Sequence, residues 1–322
     1  MKKNMIIATR HGLIRFERVV DYWEEKDHAL TGLEITSLAI QGEVGLAGTT
    51  EGVYVTRDGG ENWSLDSDEI TTPHIRWVSI HPQDPRYLYA GSEPANIFTK
   101  QIDDEAWQRV DIVSKLRDEN DWFMPYSPNA GCVRGFAFHD NRVYAAVEVG
   151  GLLFSDDYGA TWSLVPGSTG QPRRDPEPGQ LHSDVHSVST HATSPDYVLA
   201  PTGGGFYLSL DGGQNWTKKY DTYCRAVWVD PMVATHMILG PADGVDRGGR
   251  IEQTTDGGET WHLIMGNLEE KWPEAMVERF LSANNEIYAV LSNGKILTAR
   301  TREFSWQYLL PEIGNVTMLA LF

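Results

Sequence analysis

The sequence contains very little cysteine, with only Cys132 and Cys224 among 322 residues. Two cysteines cannot supply the disulfide framework on which small secreted domains depend. No run of about 18 consecutive apolar residues occurs, so a membrane-spanning helix is not expected. The apolar run near the start is only MIIA, which is too short for the core of a signal peptide. Together these absences predict a cytoplasmic protein with no membrane partner.

Positive charge is also scarce. The chain has 27 Lys and Arg residues against 45 Asp and Glu residues, a net charge of −18. Proteins that bind nucleic acid neutralise phosphates with clustered lysines and arginines. The composition therefore argues against a nucleic-acid partner, and it makes any local convergence of arginines more informative.

Glycine, aspartate and tryptophan, by contrast, recur in a fixed pattern. Four octapeptides read Ser/Thr-x-Asp-x-Gly-x-Asn/Thr-Trp: TRDGGENW from Thr56, SDDYGATW from Ser155, SLDGGQNW from Ser209 and TTDGGETW from Thr254. Aspartate, serine and threonine side chains accept backbone N–H groups in turns, and glycine adopts positive φ without strain. We interpret the octapeptide as a hairpin corner, because one active site does not need four copies of its acid.

The whole chain is periodic. Tryptophans recur at intervals of 40 to 55 residues, at Trp23, Trp63, Trp107, Trp162, Trp216, Trp261 and Trp306. A typical repeat holds four strand-like runs, as in ITSLAIQ, VGLAGTT, GVYVTRDGG and NWSLDSD. Four short strands per repeat of this length predict an all-β fold, a seven-bladed β-propeller with four-stranded blades.

The two ends of the chain complete one blade. The N-terminal MIIATR and GLIRFER match the second and third strands of a blade, whereas the C-terminal NVTMLALF matches a first strand. We therefore expect the C-terminal strand to complete blade one and close the ring, which removes exposed sheet edges. A single domain is predicted over residues 1–322, with blades at about 1–30 plus 315–322, 31–72, 73–116, 131–167, 184–221, 222–265 and 276–314.

The four octapeptides resemble Asp-boxes, and the chain is similar along essentially its whole length to the BNR/Asp-box propellers. That family includes sialidases, xyloglucanase-type glycosidases, the sortilin ectodomain and photosystem assembly factors. The resemblance implies the propeller fold and leaves the function open, since both enzymes and binding proteins share it. Sialidases carry an Arg-Ile-Pro-type motif near the N-terminus, which the nearest sequence here, ATRHGLIRF, lacks.

The first strand of each propeller blade lines the central channel. The third residue of these strands occupies one level, which reads Thr36, Arg76, Arg134, His186, Arg225, Glu278 and Thr317. Three arginines at one level repel each other unless Glu278 or a bound anion offsets their charge. Because guanidinium groups bind carboxylates and phosphates with paired hydrogen bonds, we expect an anion site here. The alternative is a structural ion network that plugs the channel.

Long insertions between blades are expected on the channel-mouth face. They contain Trp122, Tyr126 and Trp272, whose rings could stack on a sugar or cover a small core within the loop itself. A glycoside hydrolase or lyase would also need carboxyl groups at the mouth. The candidates are Glu148, Glu278 and Asp184, with Glu148 preferred as the acid unless it forms a salt bridge to Arg134.

A second group of polar residues alternates along LHSDVHS. On an extended strand His182, Asp184 and His186 would face one side, where they could bind a divalent metal; they could equally be ordinary polar residues at a loop-to-strand junction. No other cofactor is indicated.

Two functions remain open. In the first, the protein binds an anionic sugar or another carboxylate ligand at the channel mouth and, if it is an enzyme, cleaves it. The other is a non-catalytic binding or assembly platform for protein partners.

Overall fold

The computed structural model describes residues 4–20, 22–122, 131–172 and 175–322. Within this part of the chain, 28 strands form seven four-stranded sheets, and every strand pairs antiparallel with its neighbours. The predicted seven-bladed, all-β propeller is confirmed. None of the described helices is long and apolar enough to cross a membrane.

Each blade has four strands ordered from the channel to the rim. Blade one consists of the C-terminal β28 (Val316–Leu321) followed by β1 (Asn4–Thr9), β2 (Gly12–Val19) and β3 (Tyr22–Ala29). Blade two has β4 (Ile35–Gln41), β5 (Val44–Thr49), β6 (Gly52–Thr56) and β7 (Ser64–Leu65). Blade three has β8 (Ile75–Ile80), β9 (Tyr87–Ser92), β10 (Ile97–Gln101) and β11 (Gln108–Arg109). Blade four has β12 (Cys132–His139), β13 (Arg142–Glu148), β14 (Gly151–Ser155) and β15 (Ser163–Leu164).

The remaining blades follow the same order. Blade five has β16 (Ser189–His191), β17 (Ser194–Thr202), β18 (Gly205–Ser209) and β19 (Thr217–Tyr220). Blade six has β20 (Cys224–Asp230), β21 (Val233–Pro241), β22 (Glu252–Thr254) and β23 (His262–Leu263). Blade seven has β24 (Val277–Ala283), β25 (Glu286–Leu291), β26 (Ile296–Arg300) and β27 (Gln307–Leu309). Among the described residues one helix, α1 (Asp111–Glu119), follows β11 and leads into the insertion that contains Trp122.

The C-terminal strand closes the ring as predicted. It pairs antiparallel with β1, from Met5 opposite Leu321 to Thr9 opposite Val316. Met5 and Leu321 are both buried, and they pack with residues of blade seven. One blade is therefore built from both ends of the chain, and β28 supplies its innermost strand.

The middle strands of the blades are almost entirely buried, because neighbouring blades cover both of their faces. Blades approach so closely that a side chain on Gly91 of β9 would collide with Val133 of β12. Side-chain packing between blades therefore holds the ring together, and the hydrophobic core is distributed around it.

The octapeptides form the predicted corners between the third and fourth strands. In the first copy the Thr56 hydroxyl accepts a hydrogen bond from the N–H of Gly60 (3.0 Å), and Asp58 accepts one from the N–H of Asn62 (2.9 Å). Gly60 has φ of +91°, and the Trp63 indole donates back to its carbonyl (3.1 Å). Equivalent bonds to the serine or threonine and to the aspartate recur in the other three copies. The motif is a hydrogen-bonded turn.

Candidate functional site

A polar cavity of about 370 Å³ opens at one end of the central channel. Its rim includes Arg10, in the turn between β1 and β2, and Asn293, in the turn between β25 and β26. These turns join second to third strands, so the cavity lies on the face opposite the Asp-box corners. The floor comes from the inner strands, as the sequence predicted for a channel mouth.

The predicted ring of third residues converges on this cavity. Six of its members line the cavity: Thr36, Arg76, Arg134, Arg225, Glu278 and Thr317. His186 lines a second cavity of about 200 Å³, whose wall also includes Arg134, Arg225 and Glu278. These three side chains therefore lie between the two cavities, across the channel.

The residues between the cavities form an ion network. Arg134 donates to Glu148 (3.1 Å) and lies 3.6 Å from Glu278, which also accepts a hydrogen bond from Arg225. Arg225 donates a further bond to the Tyr223 hydroxyl (2.7 Å). Although burial alone would raise the pKa of Glu278, the surrounding arginines hold it below its usual value. Glu278 is thus an anion shared by two of the ring arginines.

Arg76 is less completely paired than Arg134 and Arg225. Its Nε lies 3.5 Å from Glu93 Oε2, and 29% of its side chain is exposed at the cavity. A guanidinium group offers five N–H donors, so this single ion pair leaves donor capacity directed at the cavity.

Arg279 is a channel arginine that the sequence reasoning missed. It lines both cavities, and its guanidinium carbon lies 4.4 Å from the centre of the Trp77 ring. Among the described residues its hydrogen-bond partners are the Thr36 carbonyl (3.3 Å) and the Met318 sulfur (3.6 Å). Burial lowers the pKa of Arg279 to about 9, and the neighbouring arginines add to this effect although Glu278 opposes it. It is a cation without a direct carboxylate partner in the described part of the chain.

A β-bulge explains why Arg279 was missed. The pairing of β24 with β25 skips one position between Val277 and Arg279, and the pairing of β8 with β9 skips one between Ile75 and Trp77. A bulge breaks the strict alternation of side chains, so two consecutive residues can face the channel. The signal in the sequence was a large or charged residue at the fourth position of an aligned first strand, where strict alternation predicts an apolar or small residue.

The candidate acid Glu148 lies beside the network. Its Oε2 accepts hydrogen bonds from Arg134 and from the Cys132 thiol (3.3 Å), so the salt bridge weighed as the alternative is present. Burial raises the pKa of Cys132, and the adjacent Glu148 raises it further. Cys132 therefore remains a thiol that acts as a hydrogen-bond donor.

The alternation expected along LHSDVHS does not occur, because residues 182–188 do not form a continuous strand and β16 begins only at Ser189. Asp184 and His186 nevertheless meet Glu148, with one potential ligand atom from each lying within 4.8 Å of the others. His182 is not in this group of three; its Nδ1 accepts a hydrogen bond from the backbone N–H of Asp184 (3.2 Å). Burial would raise the pKa of Asp184, but His186 lowers it below its usual value.

The predicted aromatic residues do not line the mouth. Trp122 is fully buried in the core between blades three and four, and Trp272 is 6% exposed in the core between blades six and seven. Their rings have no face available for a sugar, so they fit the alternative of a core beneath the loops. Tyr126 lies outside the described residues. Among the described residues, Trp77 is the aromatic residue that lines the cavity.

Comparison with known proteins agrees with the fold. The BNR/Asp-box repeat pattern matches residues 54–65, the first corner. A structure of YCF48 bound to D1 peptide is 14% identical with a TM-score of 0.60, covering 90% of this chain and 85% of that one. YCF48 from Cyanidioschyzon merolae is 12% identical with a TM-score of 0.63, covering 94% and 97%.

An ancestral GH74 enzyme has a similar fold within a larger molecule. It is 14% identical with a TM-score of 0.61, and the match covers 89% of this chain but only 38% of the GH74 chain. No curated protein matches the sequence. At these identities the structural likeness concerns the fold alone.

Proposed function

We propose that this Asp-box β-propeller is a binding protein whose channel mouth holds a small carboxylate ligand, with an anionic sugar as the preferred class. The observation that carries the proposal is Arg279, which lies deep in the channel with no direct carboxylate partner among the described residues. Arg76 lines the same cavity and has one ion pair at 3.5 Å. A carboxylate between these two guanidinium groups would satisfy donors that the protein leaves unused.

The sugar class follows from the rim and from the size of the cavity. Ser292, Asn293 and Asn315 line the upper part and can exchange hydrogen bonds with hydroxyl groups. The volume of about 370 Å³ falls in the range of small-molecule sites. Trp77 adds one aromatic wall beside the anion position.

Binding is favoured over cleavage by the state of the carboxylates. A glycosidase needs one carboxylic acid whose pKa is raised so that it can protonate the leaving group. The arginines lower the pKa of Glu278, and Glu148 accepts hydrogen bonds from Arg134 and Cys132. Glu278 is therefore held as an anion, and one oxygen of Glu148 is already engaged by two donors.

Isothermal titration with glucuronate, galacturonate and N-acetylneuraminate tests the binding proposal, with neutral glucose as the control ligand. We expect at least one acid to bind the protein and Arg76→Gln to weaken that binding by tenfold or more. The control variant is Arg142→Gln, a half-buried arginine that pairs with Asp156 away from the cavity. The proposal fails if no acid binds, or if both variants bind as the wild type does.

Hydrolysis is tested with nitrophenyl glycosides of the same acids. We expect no release of nitrophenol above the rate without protein. Release that disappears in Glu148→Gln would assign this propeller to the glycoside hydrolases and replace the non-catalytic proposal.

A second candidate is a peptide or protein partner on the same face, supported by the similar fold of YCF48 bound to D1 peptide. The arginines could then hold a C-terminal carboxylate. Peptides with a free C-terminus and their amidated forms separate the two proposals. Binding of free-acid peptides with no binding of sugar acids would favour the peptide partner.

A further inference from the structure

Glu148, Asp184 and His186 form a separate cluster at the edge of the arginine network. One potential ligand atom from each lies within 4.8 Å of the other two, although the residues come from different parts of the chain. We propose that this cluster is a site for one divalent transition-metal ion of the Zn²⁺ class. The proposal does not depend on the binding of a carboxylate at the channel mouth.

The first argument is the orientation of His186. Its Nδ1 lies 2.9 Å from the carbonyl oxygen of Cys224. A carbonyl can only accept, so Nδ1 carries the proton, and in the neutral ring the lone pair is on Nε2. Metal-binding histidines are held by this arrangement, in which the other ring nitrogen donates to a carbonyl or carboxylate. The His186 side chain is 1% exposed, so bulk water does not compete for Nε2.

The second argument is an unpaired oxygen that faces this nitrogen. Asp184 Oδ1 lies 3.3 Å from His186 Nε2, is inaccessible to solvent, and has no hydrogen-bond partner among the described residues. A buried acceptor without a partner is costly and calls for an ion or a donor. A metal ion placed between Nε2 and Oδ1 would satisfy both atoms at once.

The third argument is charge. Glu148 brings a second carboxylate to the cluster, and its ion-pair partner Arg134 also lies 3.6 Å from Glu278. A divalent cation would balance Glu148 and Asp184 together. Arg134 would then hold the Glu148 oxygen that it already contacts, as a neighbour that orients a ligand.

The mixture of donor atoms selects the kind of metal. Calcium and magnesium prefer sites made only of oxygen atoms, whereas one imidazole nitrogen with two carboxylates suits zinc and similar ions. His182, a ligand in the sequence hypothesis, is not included, because its Nδ1 already accepts the N–H of Asp184. Three protein ligands leave one coordination position of a tetrahedral ion open.

The experiment uses the full chain, stripped with a chelator and titrated with Zn²⁺ and with Co²⁺, whose visible absorption reports its coordination. We expect one ion per chain and a loss of about hundredfold or more in affinity in Asp184→Asn, since even neighbours of ligands cost about 10–100-fold. The control is Asp230→Asn, because Asp230 pairs with His236 at 3.2 Å without a nearby third ligand among the described residues. Its affinity should match the wild type.

A measurement on the wild type keeps the test independent of how the variants fold. Nitrogen NMR of His186 should show Nε2 changing from a free lone pair to a metal-bound nitrogen when Zn²⁺ is added. The proposal is overturned if the stripped protein takes up no ion. It is also overturned if both aspartate variants lose affinity equally, or if His186 remains protonated on both nitrogens in the presence of Zn²⁺.

Discussion

Arg279→Met should make the protein more stable and less able to bind an anion. Burial lowers the pKa of Arg279 from 12.5 to about 9, with the neighbouring arginines adding to the effect. At about 1.4 kcal/mol per pH unit, this corresponds to a cost of about 5 kcal/mol for keeping the charged side chain at that position. Water in the channel cavities reaches part of the side chain and reduces that cost.

The Arg279→Met substitution also removes two favourable contacts of the guanidinium group. The guanidinium stacks on Trp77 at 4.4 Å, worth about 2 kcal/mol when desolvated, and it donates to the Thr36 carbonyl, worth about 1–2 kcal/mol. The unbranched methionine side chain still packs against Trp77. Because water lowers the cost below 5 kcal/mol, we expect a net gain of at most about 1–2 kcal/mol in the free energy of unfolding.

Urea unfolding and thermal unfolding measure this gain, which should raise Tm by at most about 1–3 °C in a chain of 322 residues. The matched control is Arg142→Met, which removes another arginine that lies over an aromatic ring, Phe154 at 5.8 Å, but that has a carboxylate partner in Asp156. That variant should be neutral or slightly destabilised. A sugar acid that stabilises the wild type should have no such effect on Arg279→Met.

Two results would refute this reasoning. A loss of about 2 kcal/mol or more in Arg279→Met, with Arg142→Met nearly unchanged, would show that Arg279 is a structural part of a plug. Unchanged binding of anions by a stabilised variant would show that Arg279 is strained but does not contact the ligand.

Three further predictions concern the scaffold. Deleting residues 315–322 should abolish cooperative thermal unfolding, because it removes the inner strand paired with β1; a transition like that of the wild type would contradict closure. Asp157→Ala should lower the free energy of unfolding in urea by about 1–2 kcal/mol, because Asp157 no longer accepts hydrogen bonds from Thr161, and ligand binding should be unchanged. Loss of binding at normal stability would contradict the turn assignment. Hydrogen bonds from Asn62 lower the pKa of Asp58 to about 2. The contribution of Asp58 to the free energy of unfolding should therefore be present above about pH 4 and be lost between about pH 4 and 2. The free energy of unfolding of Asp58→Asn should depend less on pH in that window, and a pH dependence equal to that of the wild type would contradict this.

The architecture could be predicted from sequence because it depends on local chemistry. Each Asp-box corner forms its hydrogen bonds within five residues, as between Thr56 and Gly60, and each repeat contains four short strand-like runs separated by turn residues. Seven repeats of the four-strand pattern specify the number of blades, and the incomplete repeat at each end of the chain predicts closure. Aligning the repeats was also sufficient to place Arg76, Arg134 and Arg225 at one channel level.

Only the tertiary structure decided which of these arginines is available to a ligand. Arg225 meets Glu278 across 53 positions of sequence, and Arg134 of blade four lies 3.6 Å from Glu278 of blade seven. Ion pairing at such separations depends on distances between blades, about which a periodic pattern contains no information.

The same limit explains the residues whose positions were not anticipated. A bulge turned Arg279 into the channel, packing between blades buried Trp122, and an irregular segment before β16 placed Asp184 and His186 near Glu148. The sequence by itself determined a ring of seven blades with charge at its centre, because local hydrogen bonding and apolar periodicity repeat along the chain. Which of the channel arginines are paired with carboxylates was decided by contacts between blades, because Coulomb interactions and burial depend on distances in space rather than on separation in sequence.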